Sequence, residues 1–314
     1  MTPRFFPRPL AAAAICLSLL AGCASLPRGE LQTLGSEVVR EKVDFQTLDA
    51  GAKRAKAAYS SPAAIRAAYP KTVRVATPGG RDVQYFIERD DKAKVQYITV
   101  RGTTDDTTLK EDFDTKVRSD RATKIPVHSG FDLDARAVWT DAQPYLKSGY
   151  QTYVVGHSLG GAVAAILGIY MIEDGYKVDK IYTYGQPRFT TADGVKQLGF
   201  LPLLRVVDEN DLVPVLPPGM MGNKKYGRYE QVGPEIILLE GPDYVYLPGA
   251  VAAELSYGEF WRDLHVADLK DHKLDNYIRR IEDKFAASRQ VAYNSRETYV
   301  AKKKVVASLQ PGQR

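Results

Sequence analysis

The 314-residue chain predicts an α/β fold, a mostly parallel central sheet with helices on both faces. Three observations predict it. Short runs rich in β-branched and aromatic residues alternate with longer runs of helical apolar spacing. One strand-to-helix junction carries a serine between glycines, Gly156-His157-Ser158-Leu159-Gly160. The composition, 44% hydrophobic and 26% charged, suits a chain that buries one sizeable core.

Residues 1–22 precede the predicted domain. Arg4 and Arg8 give a positive start, and a 13-residue apolar run over 10–22 follows. That run is too short to cross a bilayer as a permanent helix and has the length of a signal-peptide core. Leu20-Ala21-Gly22-Cys23 then resembles the lipobox of bacterial lipoprotein precursors, which implies cleavage before Cys23 and acylation of its thiol and new amine. Several buried acyl chains at ~0.8 kcal/mol per CH₂ make such an anchor effectively permanent. Ala24 stands where an Asp retains such proteins at the inner membrane, so the resemblance implies outer-membrane delivery. Residues 23–42 are polar and read as a tether, 43–288 as the domain, and 289–314 as a basic tail. The tail carries six basic residues against one acid, Glu297, a pattern of a solvated segment or of contact with anionic headgroups.

Within the domain, residues 45–68 are alanine-rich with apolar spacing at Leu48, Ala52, Ala55 and Tyr59, and predict a helix. Residues 73–77, 83–87 and 95–100 read as strands parted by Pro78-Gly79-Gly80 and Asp90-Asp91. Alternation follows: helix at 132–146, strand at 152–155, helix at 162–172, and strands at 180–184 and 203–207. A last strand at 235–239 and a last helix at 274–286 close the pattern. The only cysteines, Cys16 and Cys23, lie outside the domain, which excludes an internal disulfide or a cysteine metal site there. No basic stripe in the domain suggests nucleic acid.

The G-x-S-x-G run sits between a strand and a small-residue helix, the setting of the nucleophile elbow of α/β hydrolases. Ser158 is the candidate nucleophile. A serine hydroxyl needs a base to take its proton, and in this fold the order is serine, acid, histidine. Asp208 and Asp211 both follow the strand at 203–207, and the stiff run Asn210-Asp211-Leu212-Val213-Pro214 favours Asp211. Of four histidines, His128 precedes the serine and His157 lies inside the elbow. His265, beside Trp261 and Leu264, reads as part of a helical or packed stretch, whereas His272 falls in a polar run just before the last helix. His272 is the candidate base.

Together these segments resemble the class 3 lipases, the family of fungal triacylglycerol lipases and their bacterial relatives. The resemblance spans Val100-Arg101-Gly102-Thr103, Val127-His128-Ser129-Gly130-Phe131, the GHSLGG run from Gly156 and Tyr184-Gly185-Gln186-Pro187-Arg188. It continues through the run from Asn210 to Pro218 and Asp271-His272 with Tyr277. It implies an ester hydrolase with Ser158, Asp211 and His272 as triad, and oxyanion donors at Thr103 and at the N–H of Leu159. No metal or cofactor is required, and the implied partners are lipid-like ester substrates and a membrane reached through Cys23. Fungal members carry an amphipathic lid just after the Arg-Gly pair. Here residues 104–124 are crowded with charge, which predicts hydrolysis without a rate jump at an interface. Residues 244–261, rich in Tyr, Leu, Ala and Val, read either as a second candidate cover or as a buried packing segment. The rival reading is a catalytically silent envelope lipoprotein that uses the fold for binding.

Overall fold

Asp44 starts the first helix of the domain. Its Oδ1 accepts the backbone N–H groups of Gln46 and Thr47, both at 3.1 Å, satisfying donors that a first helical turn leaves open. Helix α1 (Phe45–Ala57) buries Leu48, Ala52 and Ala55 on one face. The spacing predicts one helix over 45–68, but the computed structural model has two. The break falls at Ser61, which is extended (φ −63°, ψ 154°) because a following proline disfavours the α conformation. Ser61 then caps α2 (Pro62–Ala68), its side chain accepting from Ala64 N–H at 3.3 Å.

The structure describes residues 36, 38–104, 116–120, 123–218, 225–253, 255 and 271–296. Cys23 with its leader, most of the tether, residues 105–115 and 121–122 of the charged segment, His265, and the tail from 297 lie outside the described residues.

Strands β1 (Thr72–Ala76), β2 (Tyr85–Asp90) and β3 (Val95–Val100) pair antiparallel in turn. β4 (Val117–Ser119) and β5 (Pro126–His128) lead into α3 (Ser129–Ala142). Next come β6 (Gln151–His157), α4 (Leu159–Glu173), β7 (Val178–Tyr184), β8 (Thr190–Thr191) and the short α5 (Ala192–Val195). β9 (Leu203–Asp208), β10 (Tyr229–Glu230), β11 (Glu235–Leu238) and β12 (Asp243–Leu247) follow, then α6 (Leu274–Glu282) and β13 (Arg289–Gln290). The central sheet has the order β1-β2-β3-β6-β7-β9-β11-β12-β13. From β3 to β11 every neighbouring pair is parallel.

Successive strand residues point to opposite faces, and the two faces carry different helices. Val154 joins α3 and α4 in one apolar cluster, while Val155 faces α1 and α6 in another. Helix α4 is buried along nearly all its length, as expected of a run with no polar face.

Two expectations are corrected. The strand at 235–238 is not the last, since β12 and β13 follow it. Residues 243–247 therefore form sheet, with Tyr244 and Leu247 buried, so this part of the second candidate cover is packing; residues 254 and 256–261 lie outside the described residues. The tail expected from residue 289 also begins inside the sheet. Arg289 is drawn there by the buried carboxylate of Asp243, with Nε–Oδ1 at 2.6 Å and Nη2–Oδ2 at 2.8 Å, and Tyr293 is buried beyond it.

Candidate active site

The turn from β6 to α4 consists of Ser158 alone. Its backbone adopts φ 56°, ψ −135°, a region that L side chains rarely occupy and that marks stored strain. The chain reverses so tightly that a Cβ on Gly156 would overlap the carbonyl of Gly160, so glycine is required. Ser158 stands at the N-terminus of α4, where unpaired N–H groups and the helix dipole favour negative charge. The N–H of Leu159 is the first of these.

Asp211 follows β9 in a tight loop. Its Oδ1 accepts the N–H of Val213 at 2.9 Å. Its Oδ2 accepts the Tyr277 hydroxyl at 2.5 Å and faces Nδ1 of His272 at 2.7 Å. A carboxylate only accepts, so the proton sits on Nδ1 and the Nε2 of neutral His272 is left as the basic atom. His272 enters just before α6 and is 4% exposed. Gly185, with φ 58°, gives this pair room: a Cβ there would lie 2.8 Å from both Asp211 Oδ2 and His272 Cε1. The buried Arg188 holds the Asp211 loop from below through the carbonyls of Val215 and Pro217, the latter at 2.9 Å.

Asp208, the other acid that the sequence offered, is occupied elsewhere. Its Oδ2 lies 2.9 Å from Arg280 Nε, and burial pushes its carboxyl up to about 7 against the pull of that guanidinium. His128 caps α3, with Nδ1 3.4 Å from Phe131 N–H, and stacks on the Phe131 ring.

Ser158 Oγ and His272 Nε2 are both buried, and neither has a hydrogen-bond partner among the described residues. Both residues line one open cavity of about 220 Å³, together with Tyr59, Thr103, His157 and Lys273. Thr103 also borders a second cavity of about 370 Å³, in which it meets Leu159. The structure thus brings Ser158, Asp211, His272 and Thr103 to one edge of the sheet.

A chain of three hydrogen bonds went unseen in the sequence. Gly102 N–H donates to the Tyr59 hydroxyl at 3.1 Å, which lies 2.8 Å from His157 Nδ1. His157 Nε2 lies 2.9 Å from the carbonyl of His272. A carbonyl only accepts, so His157 carries its proton on Nε2 and takes the Tyr59 proton on Nδ1. Burial, and then the nearby His272, hold the His157 pKa well below the usual histidine range. Its ring stacks on His272 with centroids 4.6 Å apart.

Residues 97–221 match the family model for lipase (class 3). The secreted mono- and diacylglycerol lipase 1 of Fusarium solani is 31% identical over 172 residues, covering 50% of this chain and 48% of that one. A lipase of Rhizomucor miehei is 32% identical over 155 residues, covering 45% of this chain and 42% of that one. The chain thus spans less than half the length of these curated relatives. The crystal structure of a lipase from Rhizopus microsporus var. chinensis superposes with a TM-score of 0.56 at 22% identity, covering 79% of this chain and 87% of that one. This likeness shows the α/β-hydrolase fold, and the sequence matches support the class 3 lipase reading.

Proposed function

We propose that the protein is a serine carboxylester hydrolase acting on lipid-like esters, acyl glycerols or phospholipids among them. One observation carries the reading: a buried serine at a strained elbow shares a cavity with a histidine whose far nitrogen is held by a buried carboxylate. In the proposed reaction His272 Nε2 takes the Ser158 proton as Oγ bonds to the ester carbonyl carbon. Leu159 N–H and Thr103 hold the oxyanion, and Asp211 steadies the imidazolium. The C–O bond to the alcohol then breaks, and His272 returns the proton to the leaving oxygen. Water repeats the cycle on the acyl-enzyme. The names of the matched relatives favour acyl glycerols within this class.

A fluorophosphonate probe is expected to label the wild-type protein and leave Ser158→Ala unlabelled, with hydrolysis falling up to ~10⁶-fold in kcat. Near-wild-type activity in purified Ser158→Ala would sink the mechanism. We propose further, from the Leu20–Cys23 run behind its charged start and apolar core and from Ala24 after it, that a lipid on Cys23 anchors the protein to a bacterial outer membrane. Incorporation of a palmitate analogue is expected in the wild type and absent in Cys23→Ser.

A further inference from the structure

In ester cleavage the base that activates the nucleophile also hands its proton to the departing oxygen. On the hydrolase reading above, on which this inference rests, the alcohol half of the substrate must therefore lie on the His272 side of Ser158. The cavity on that side is the one of about 220 Å³. It is smaller than pockets that enclose a whole drug-sized ligand, so it suits a headgroup and leaves long chains outside. Ser158 and His272 line it, and their buried Oγ and Nε2 have no hydrogen-bond partner among the described residues.

Its charge is uneven. Lys56, 54% exposed, is already bound to Asp275, and those two charges cancel. Lys273, directly after His272, is exposed and lines the same cavity, yet its ammonium meets no carboxylate among the described residues. Asp271, the acid on the other side of His272 in sequence, is not part of the lining. Lys273 is also the N-cap of α6, a nine-residue helix whose start has no side-chain cap, so helix polarity adds to the lysine charge. Among the described residues, the leaving-group side of the nucleophile thus carries one uncompensated cation. A neutral glyceride offers it hydrogen-bond acceptors but no opposite charge.

We propose that this cavity is the subsite for a phosphate-bearing leaving alcohol, with Lys273 selecting acyl esters of glycerophosphate type over neutral glycerides. The test compares two monomeric substrates, dihexanoyl phosphatidylglycerol and dihexanoylglycerol, with the full-length protein. The readout is the ratio of their kcat/KM values. In Lys273→Gln the ratio is expected to fall about fivefold, the scale of a partly screened charge pair, and Lys273→Arg is expected to restore it. In the wild type the same ratio should fall as salt is raised. A ratio that is the same in Lys273→Gln and the wild type, or a wild type that cleaves only the neutral ester, overturns the subsite while leaving the hydrolase standing. No cleavage of either substrate together with no fluorophosphonate labelling of Ser158 would remove both readings at once.

Discussion

Tyr59 ties together groups that are far apart in the chain. Its hydroxyl joins Gly102, next to Thr103, to His157, and His157 joins the backbone of His272. The oxyanion side and the base are thereby fixed to one another across the cavity. Tyr59→Phe removes the link at both ends without emptying the site. It is expected to lower kcat on the order of tenfold, because small misplacements of reacting groups are costly, with KM less affected and the melting temperature checked in parallel. Unchanged kcat in a well-folded variant would show that the link positions nothing. His157 gives a second prediction. In the fold, burial and the neighbouring His272 keep it neutral, whereas in the unfolded chain it titrates near ~6.5. Below that pH the unfolded state takes a proton that the folded state refuses. The stability held by neutral His157 is thus present above about pH 6.5 and lost as pH falls, by up to ~1.4 kcal/mol per unit. Urea titrations at several pH values should show a shallower acid slope in His157→Gln than in the wild type, and parallel slopes would contradict the assignment. Ser158, Asp211 and His272 were legible because chain order and local motif suffice to nominate them. The links made by Tyr59 and His157 were not, because their partners lie 98 and 115 residues away, and Tyr277, though part of the resemblance, gave no sign of its bond to Asp211 66 residues back. His157 read as part of the elbow and Tyr59 as one more apolar position of a helix.

At the scale of elements, the parallel centre of the sheet was readable and its far edge was not. The strands at 95–100 and 203–207 stand out because the runs are mostly apolar, aromatic or β-branched, broken by Gln96 in one and Arg205 in the other. Strand β12 was hidden, since Asp243-Tyr244-Val245-Tyr246-Leu247 opens on an acid and follows Gly241-Pro242. That acid is what recruits β13. Asp243 is buried and held by Arg289, and β13 pairs in parallel with β12. The folded unit therefore continues past residue 288. Truncation after residue 288 strips Arg289 from a buried carboxylate and exposes the apolar cluster that Tyr293 helps cover. Losing one partner of a buried pair costs about 3–5 kcal/mol, and an exposed cation such as Arg289 puts the expected loss at the lower end. Truncation after residue 296 retains both contacts. Denaturant curves of the two truncated proteins should separate clearly; superimposable curves would return the boundary to residue 288.

The whole molecule is arranged so that four separate segments meet at one edge. Thr103 follows β3, Ser158 follows β6, and Asp211 follows β9, all at the C-terminal ends of parallel strands, where open α/β sheets place their ligands. His272 reaches the same edge from the start of α6, whose Tyr277 and Arg280 grip Asp211 and Asp208. No local stretch contains the site, so it exists only when the sheet is complete. A set of groups assembled in this way acts as a unit, and removing any one member disables the proton path as a whole. His272→Ala is therefore expected to cost about as much in kcat as Ser158→Ala, and the double variant little more than either alone. His265→Ala, at a position the sequence reads as packing rather than chemistry, is expected to stay within about tenfold of wild type, an effect of ~1.4 kcal/mol or less. Single-turnover assays on the same ester with all four proteins decide the matter. Independent, additive losses from Ser158 and His272 would mean that the two do not share a proton. An inactive His265→Ala beside an active His272→Ala would move the base to His265 while keeping the elbow serine as nucleophile.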